Sequence, residues 1–498
     1  MTQDAKLNSE VPKSIVHVSE RINKDRNVLG LDFNAWVHHN FATLDILCHF
    51  NVIGFKSFYF KDNLGNFPSY VKPLFGSNNY IERSYLIDRT IVELNAPKKI
   101  SPEMLFSQEV QQILQKELRK VNNQRQLIDI KHEDFDIGYS ILSSLASQYG
   151  LGELPSSLIK NQAPKKLQEY ISTCNLVYTL LRENSIGCLV IFNGRFLREN
   201  AAWRTAQFAG IPVLFHESSK NFSYIVCENR PHSIDGYGEL ASLLTGNAEM
   251  NKIKELSNLW FESRLGGENP DSETFQKRWK TSKQLSRNPH KRGRISIFTT
   301  SDDEYIGISP EWDLPKKVSQ QEWINKIISL GLENDYEVVL RLHPNLSTKS
   351  RLLRRSWRRL GRIDELILLS YTSPVNSYEL IQSSDLVITC GSTIAMEAGY
   401  LKVPVLSIGT GLYDGINGVH KIQDLQEIKK IFSEGDFSKL LIEPSKTDIY
   451  GYVEATKYIK PSYFTKDLSH YGTNSVYLNF LNKFISKIFR VIRYFRYK

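Results

Sequence analysis

Short apolar runs alternate along the chain with segments whose apolar positions return every three or four residues, most regularly after residue 290. There "RISIFTTS" predicts a strand, "SQQEWINKIISLGLEN" an amphipathic helix and "YEVVLRLHP" a second strand. "SYELIQSSD" predicts a short helix, "LVITC" a strand, "STIAMEAGYL" a helix and "VPVLSIG" a strand. Strands alternating with helical periods are βαβ units, and such units build parallel sheets.

The amino-terminal half carries the same units less regularly. "VLGLDFNAW" opens with a strand, and "LDILCHFNVIGFKSFYF" reads as helix, turn, strand. "LVYTLLRENSIGCLVIFNG" repeats that order, followed by a helix "RENAAWRTAQFAG" and a strand "IPVLFHE". Between these last two, Gly210-Ile211-Pro212 marks a helix stop and a strand start. The pattern divides the chain into a polar segment (1–25), a Rossmann-like domain with a helical insertion (26–266), a charged linker (267–293), a second Rossmann-like domain (294–445) and a helical segment ending in a basic tail (446–498). The stretch from about 60 to 130 is polar, and the pattern does not place it in a sheet. Two α/β domains imply a cleft between them, with ligands beyond the carboxyl ends of the strands.

Composition agrees with large cores: 498 residues, 41% hydrophobic and 11% aromatic. The five cysteines are scattered without a CxxC, which argues against a disulfide framework or a zinc site. The first thirty residues hold no signal-peptide apolar core and no apolar run is long enough to span a bilayer, so a cytoplasmic protein is expected. The net charge of +9 is concentrated in two places. In "SRLLRRSWRRLGR", Arg351, Arg354, Arg355, Arg358, Arg359 and Arg362 recur at helical spacing, most simply as a solvated face. No nucleic-acid-binding signature accompanies them, and no nucleic acid is expected as a partner. In the tail, Phe484, Ile485, Ile488, Phe489, Ile492 and Phe495 interleave with bases, as in a helix lying on anionic lipid on the cytoplasmic face of the inner membrane (residues 480–498). The competing expectation is a tail helix packed on the amino-terminal domain.

Candidate chemistry gathers at strand ends. "LRLHPN" ends a strand at His343 and Pro344, where an imidazole can donate to a phosphate oxygen. "LVITCGSTIAMEAG" runs from a strand through Gly391 into a helix beginning at Ser392 and Thr393, an arrangement suited to phosphate, with Glu397 one turn on to accept from ribose hydroxyls. The plainer reading makes Ser392 or Thr393 a helix cap. "IFTTSDDEYIG" places Thr299, Thr300, Ser301 and Asp302 after a third strand; its acidic run has no second cluster to complete a metal site, and no metal is expected. In the first domain the candidate general bases are Asp32 in "GLDFNAW" and Glu217 in "LFHESS", while Asn193, Gly194 and Arg195 form a loop able to meet an anionic sugar or phosphate.

"FTTSDDEY", "LRLHPN" and "SDLVITCGSTIAMEAGYLKVPVL", in this order, resemble the bacterial capsule and surface-polysaccharide glycosyltransferase-like family, and "FDIGYSILSSL" and "VIFNGRFLRENAAWRTAQFAGIPVLFHESS" resemble its acceptor-side domain. The HP followed by a GST…EA helix is also similar to the nucleotide site of CMP-sugar-dependent sialyl- and Kdo transferases and of CDP-glycerol glycerophosphotransferases. The resemblance covers most of 130–445. It implies the GT-B fold of two facing Rossmann-like domains and a sugar transferred from a nucleotide donor, CMP-linked in the sialyl and Kdo cases, to a polysaccharide or lipid-linked acceptor. It further implies His343, Ser392 and Thr393 on the donor phosphate, Glu397 on the ribose, and no metal cofactor. A CDP-glycerol-type polyol-phosphate transferase, a nucleotide-sugar 2-epimerase and a non-catalytic nucleotide-sugar-binding scaffold remain as alternatives.

Overall fold

The structure, a computed structural model, describes residues 11–33, 37–61, 91–94, 105–219, 222–246, 248–266, 285–315, 318–349 and 351–463. The basic tail at 480–498, residues 267–284 of the expected linker and much of the stretch from 60 to 130 lie outside these.

The first sheet holds β1 (Asn27–Asp32), β2 (Ser57–Lys61), β3 (Ile91–Glu93), β4 (Ile186–Phe192), β5 (Val213–Ser218) and β6 (Tyr224–Cys227), in the order β3-β2-β1-β4-β5-β6. Its neighbours are parallel except β5 and β6. The second holds β7 (Arg294–Phe298), β8 (Glu337–Arg341), β9 (Ile367–Leu369), β10 (Leu386–Cys390), β11 (Val405–Gly409) and β12 (His420–Lys421), all parallel, in the order β12-β11-β10-β7-β8-β9. Counted within its own sheet, each has the 3-2-1-4-5-6 order of a doubly wound Rossmann module. Two such modules in one chain are the components of the GT-B fold class.

Helices cover both faces of each sheet, which is why the strands read as continuous apolar runs and not as alternating ones. In the first sheet Val28, Leu47, Val190 and Leu214 pack on one face and Leu29, Leu31, Leu189 and Ile191 on the other. In the second, Ile295, Leu340, Ile388 and Leu406 oppose Val339, Val387 and Val405. The basic segment forms the helix Arg351–Arg359 and a 3-10 turn Leu360–Arg362; Trp357, fully buried, anchors it on the second sheet's core.

The chain divides into two compact units, one of Met1–Ser144, Leu154–Pro231 and Tyr458–Lys498, the other of Leu145–Glu153 and His232–Lys457. Three expected boundaries move. Residues 13–21 form a helix whose Ile15 and Val18 are buried, so the polar segment ends before residue 25. The helices Ile234–Thr245 and Met250–Gly266 belong to the second unit, not the first: Tyr237, Ala241 and Phe261 complete its core. The helix Pro444–Thr456 also stays with the second unit, burying Tyr450 and Val453 in that core.

From Tyr458 the chain rejoins the first unit. Ile459 pairs with Tyr224 in an antiparallel bridge. Asp45, fully buried, then accepts from the backbone N–H groups of Ser462 (3.1 Å) and Tyr463 (2.9 Å) and from the Tyr224 hydroxyl (2.7 Å). Asp45→Ala removes the acceptor and leaves the buried phenol unsatisfied, so it is expected to lower unfolding stability by about 2–4 kcal/mol in urea denaturation. An unchanged midpoint would show that this carboxylate does not hold the returning segment.

Candidate functional site

In each sheet the first and fourth strands in local count, β1 and β4 or β7 and β10, lie side by side and lead to crossovers in opposite directions. The crevice beyond their carboxyl ends is where doubly wound sheets bind ligands. The candidate residues of both halves lie there or on the adjacent strand.

In the first unit β1 ends at Asp32, which is fully buried and accepts from Thr43 Oγ1 and Tyr59 OH, each at 2.9 Å. Thr43 Oγ1 also lies 2.8 Å from Nε2 of His216, a buried residue of β5. One hydroxyl has one proton; with that proton on Asp32, Nε2–H of His216 donates to Thr43. The chain of donors therefore runs from His216 through Thr43 to Asp32. Burial pushes the Asp32 carboxyl up to about 6, against the hydrogen bonds of Tyr59 and Thr43 and the charge of Lys61, which pull it down. Burial lowers His216 to about 3, so it is neutral at physiological pH. His39 is buried against Phe192 with ring centroids 3.9 Å apart, and its pKa too is pushed far down by burial. Its Nδ1 accepts from the Ser218 backbone N–H (3.3 Å).

Glu217, the other candidate base, is half-buried and follows His216 in β5, so alternation puts its side chain on the opposite face of the strand. Asn193 and Gly194 shape the turn after β4: the Asn193 Oδ1 accepts from the Arg195 N–H (3.0 Å), and Gly194 has φ +68°, where a Cβ would lie 2.6 Å from the Phe215 ring. Arg195 is directed inward. It is only 7% exposed, its Nε donates to Ser143 Oγ at 2.7 Å, and its guanidinium lies over the Phe196 ring. Thr43, Tyr59 and His39 were not singled out from sequence; the doublet in "VHHNF" was the one available signal.

In the second unit β7 and β8 present their ends side by side. Thr299 Oγ1 accepts from the His343 N–H (2.8 Å), Asn345 Nδ2 donates to Glu304 (2.9 Å) and Lys349 pairs with Asp303 (2.6 Å). "FTTSDDEY" and "LRLHPN" are thereby joined into one edge. Pro344 opens a 3-10 turn capped by His343, whose Nδ1 accepts from the Asn345 N–H at 3.2 Å. An Nδ1 that accepts carries no proton, so the neutral imidazole has its proton on Nε2 and is a donor there. Burial, aided by Lys349, holds His343 down at about 4 and keeps it neutral. Thr300 and Ser301 are buried: the Thr300 N–H donates to Gln320 Oε1 (2.8 Å) and Ser301 Oγ to Asp303 (2.8 Å). Asp302 is raised to about 6 by burial. Among the described residues no group of three or more His, Cys, Asp or Glu is placed to hold a metal ion.

The turn after β10 departs from expectation. Gly391 has φ +82°, and a Cβ there would lie 2.0 Å from the Thr410 carbonyl oxygen, so only glycine fits. The N–H groups expected to await phosphate are largely taken by hydroxyls: Gly391 by Ser407 (3.3 Å), Ser392 by Thr389 (3.0 Å) and Ile394 by Ser392 Oγ (3.4 Å). Ser392 is half-buried and Thr393 exposed, donating to Glu397 at 3.3 Å. Glu397 is itself 1% exposed and paired with Arg264 at 2.6 Å. A carboxylate is buried at acceptable cost only with such a partner, and of the pair Arg264 is the more exposed, its side chain 23% exposed against 1% for Glu397. Arg264 closes the Met250–Gly266 helix, 133 residues away in sequence, and no local motif points to it.

No family model matches this chain, and no curated protein matches it. Among solved structures, KpsC of Thermosulfurimonas dismutans, a β Kdo 2,4 transferase, aligns at 14% identity over 56% of this chain and 84% of its own, with a TM-score of 0.34. The UDP-GlcNAc 2-epimerase from Neisseria meningitidis bound to UDP-GlcNAc aligns at 14% identity over 58% and 81%, with 0.27. The glycotransferase of kitacinnamycin aligns at 8% over 87% and 95%, with 0.25. Likeness at this level does not assign a reaction to this chain.

Because burial raises the folded-state pKa of Asp32, the stability this carboxyl adds is fully present below its unfolded value and is lost as pH rises through about 6. Asp32→Asn is therefore expected to stabilise the chain more at pH 8 than at pH 4.5, by a difference of about 2 kcal/mol in urea unfolding. Equal effects at the two pH values would mean that Asp32 is not buried ionised.

Proposed function

We propose that the protein is a glycosyltransferase that moves a sugar from a nucleotide-activated donor to a surface-polysaccharide or lipid-linked acceptor. The observation that carries this reading is His343, a neutral imidazole whose Nδ1 accepts from its own turn, which leaves Nε2–H as a donor beside the switch point of the second sheet. A fixed neutral donor stabilises charge on a departing phosphate without a proton changing hands. Pro344 holds the turn that orients it, and Thr299 fixes its backbone. The hydroxyl of Ser392, which accepts from the Ile394 N–H and keeps its own proton, supplies a further donor, while the Thr393 proton is held by Glu397. Arg264, held by Glu397 and the more exposed of the pair, is the member able to meet a ligand there.

On the acceptor side the first unit supplies the base. Asp32, with a carboxyl raised to about 6 and a donor chain through Thr43 to His216, is poised to take a hydroxyl proton near neutral pH, and this favours it over Glu217. Asn193 and Gly194 form the neighbouring rim, and Arg195 acts as its inner support, not as an exposed anion receptor. The donor chemistry implied by the HP and GST…EA resemblance is a CMP-linked sugar; the tail at 480–498 is assigned to anionic lipid. A CDP-glycerol-type transfer would use the same phosphate edge and differs in the group moved.

Thermal shift with CMP, CDP, UDP and GDP is expected to show stabilisation by at least one nucleotide, lost in His343→Ala. Asp32→Asn is expected to retain that stabilisation while sugar transfer falls by roughly a hundredfold or more, the usual contribution of a general base. A chain that responds to none of the four nucleotides would instead be a scaffold. Transfer undiminished in Asp32→Asn would remove Asp32 as the base.

A further inference from the structure

Two arginines of the second unit, Arg294 and Arg341, are deeply buried and a third, Arg264, is half-buried against Glu397, and the fold treats one of the three differently. Arg294, at the amino end of β7, is fully buried but compensated: its guanidinium pairs with Glu337 and donates to Ser383 Oγ (2.7 Å) and to the carbonyls of Leu285 (3.2 Å) and Ser286 (2.7 Å). Arg264 has Glu397. Arg341, the last residue of β8, is 3% exposed and has no carboxylate partner among the described residues. Nη2 donates to the Ser373 carbonyl at a long 3.4 Å, and buried Nε and Nη1 have no partner. A buried cation without a counter-charge is among the costliest groups a fold can hold. Burial pulls its pKa down to about 10, so it is still charged at neutral pH.

Its position says what the charge faces. Leu340 and Leu342 lie in one apolar layer of the second sheet and Val339 in the other, so alternation puts Arg341 on the Val339 side. It is flanked in register by Phe298 of β7 and Leu369 of β9, and it stands two residues before His343. The uncompensated arginine is thus at the carboxyl end, the ligand-binding end of such a sheet, while the compensated Arg294 is at the opposite end. Apolar flanks keep the local dielectric low and strengthen any ion pair formed there.

We propose that Arg341 is an anion receptor for the donor, taking an oxyanion other than the phosphate at His343. That oxyanion is either the second phosphate of a nucleoside diphosphate or the carboxylate of an acidic sugar carried on a nucleoside monophosphate. The inference rests on the nucleotide-donor reading of this edge and adds a charge requirement to it: the second unit recognises donors with two separate anionic groups.

The test is isothermal titration of the full chain with CMP, CDP, UMP, UDP and a CMP-linked sialic acid, in wild type, Arg341→Gln, Arg341→Met and His343→Ala. Wild type is expected to bind either the diphosphates or the acidic-sugar donor roughly tenfold or more tighter than the matching monophosphate, the range of a charge-assisted pair. Which of the two gains identifies the oxyanion. Arg341→Gln is expected to abolish that advantage while changing monophosphate affinity less than about threefold, whereas His343→Ala weakens the monophosphate itself. Ligand-free Arg341→Met is expected to melt at or above the wild-type temperature, because an unpaired buried charge has gone. An advantage retained in Arg341→Gln, or absent in wild type, overturns the proposal while leaving the nucleotide site standing. Ligand-free melting far below wild type in both variants assigns the guanidinium to folding and likewise overturns it. Wild type that binds none of the five ligands removes the nucleotide reading and this proposal together.

Discussion

Coverage of each sheet by helices on both faces is the constraint on which the remaining features depend. With both faces apolar, polar side chains inside the sheets are few and paired locally, as Ser296 is with Ser384 and Ser407 with Tyr413, and most charged groups gather where strands end. The 3-2-1-4-5-6 order then separates β1 from β4 and β7 from β10 in their onward paths, so one end of each sheet opens while the other is closed. The closed amino edge of the second sheet shows what full satisfaction looks like, with Arg294, Glu337 and Ser383 neutralising one another. The open edges instead hold groups whose capacity is only partly used.

The two open edges have opposite electrostatic character. In the first unit burial drives the histidines to neutrality and an aspartate toward protonation, so beside the inward Arg195 the edge holds neutral or near-neutral titratable groups. In the second, the unpaired guanidinium of Arg341 and the fixed Nε2–H of His343 bring donors and positive charge to the strand ends, while Arg264 is balanced by Glu397. A reaction that moves a proton on one substrate and negative charge on another needs both kinds of environment. The same low dielectric creates each of them, by suppressing charge where it is unpaired and titratable and by strengthening it where it cannot be titrated away.

Much of this was legible in the chain. The apolar runs named the strands around both candidate edges, and "LRLHPN", "FTTSDDEY" and "CGSTIAMEAG" fell where βαβ alternation put them. Misreadings arose where a residue's partner is remote. Glu397 looked available because a single helix turn does not reveal an arginine 133 positions earlier. The N–H groups after Gly391 looked open because Ser407 and Thr389, their acceptors, belong to β11 and β10, strands of the interior. The helices between residues 234 and 266 read as part of the first unit because they follow it in the chain, whereas the core that they complete belongs to the second.

Period and composition by themselves determined the α/β class, the strand ends and the types of chemistry those ends carry, because hydrophobic burial acts on local pattern. Tertiary structure alone decided which polar groups remain unsatisfied. Asp32 owes its raised carboxyl to complete burial, which outweighs the hydrogen bonds from Thr43 and Tyr59, and His343 owes its tautomer to one backbone N–H. Arg294 and Arg341, at opposite ends of neighbouring strands, differ in whether a carboxylate and further acceptors meet the guanidinium. Partnership is a property of distances between remote residues, and a linear pattern contains no such distances.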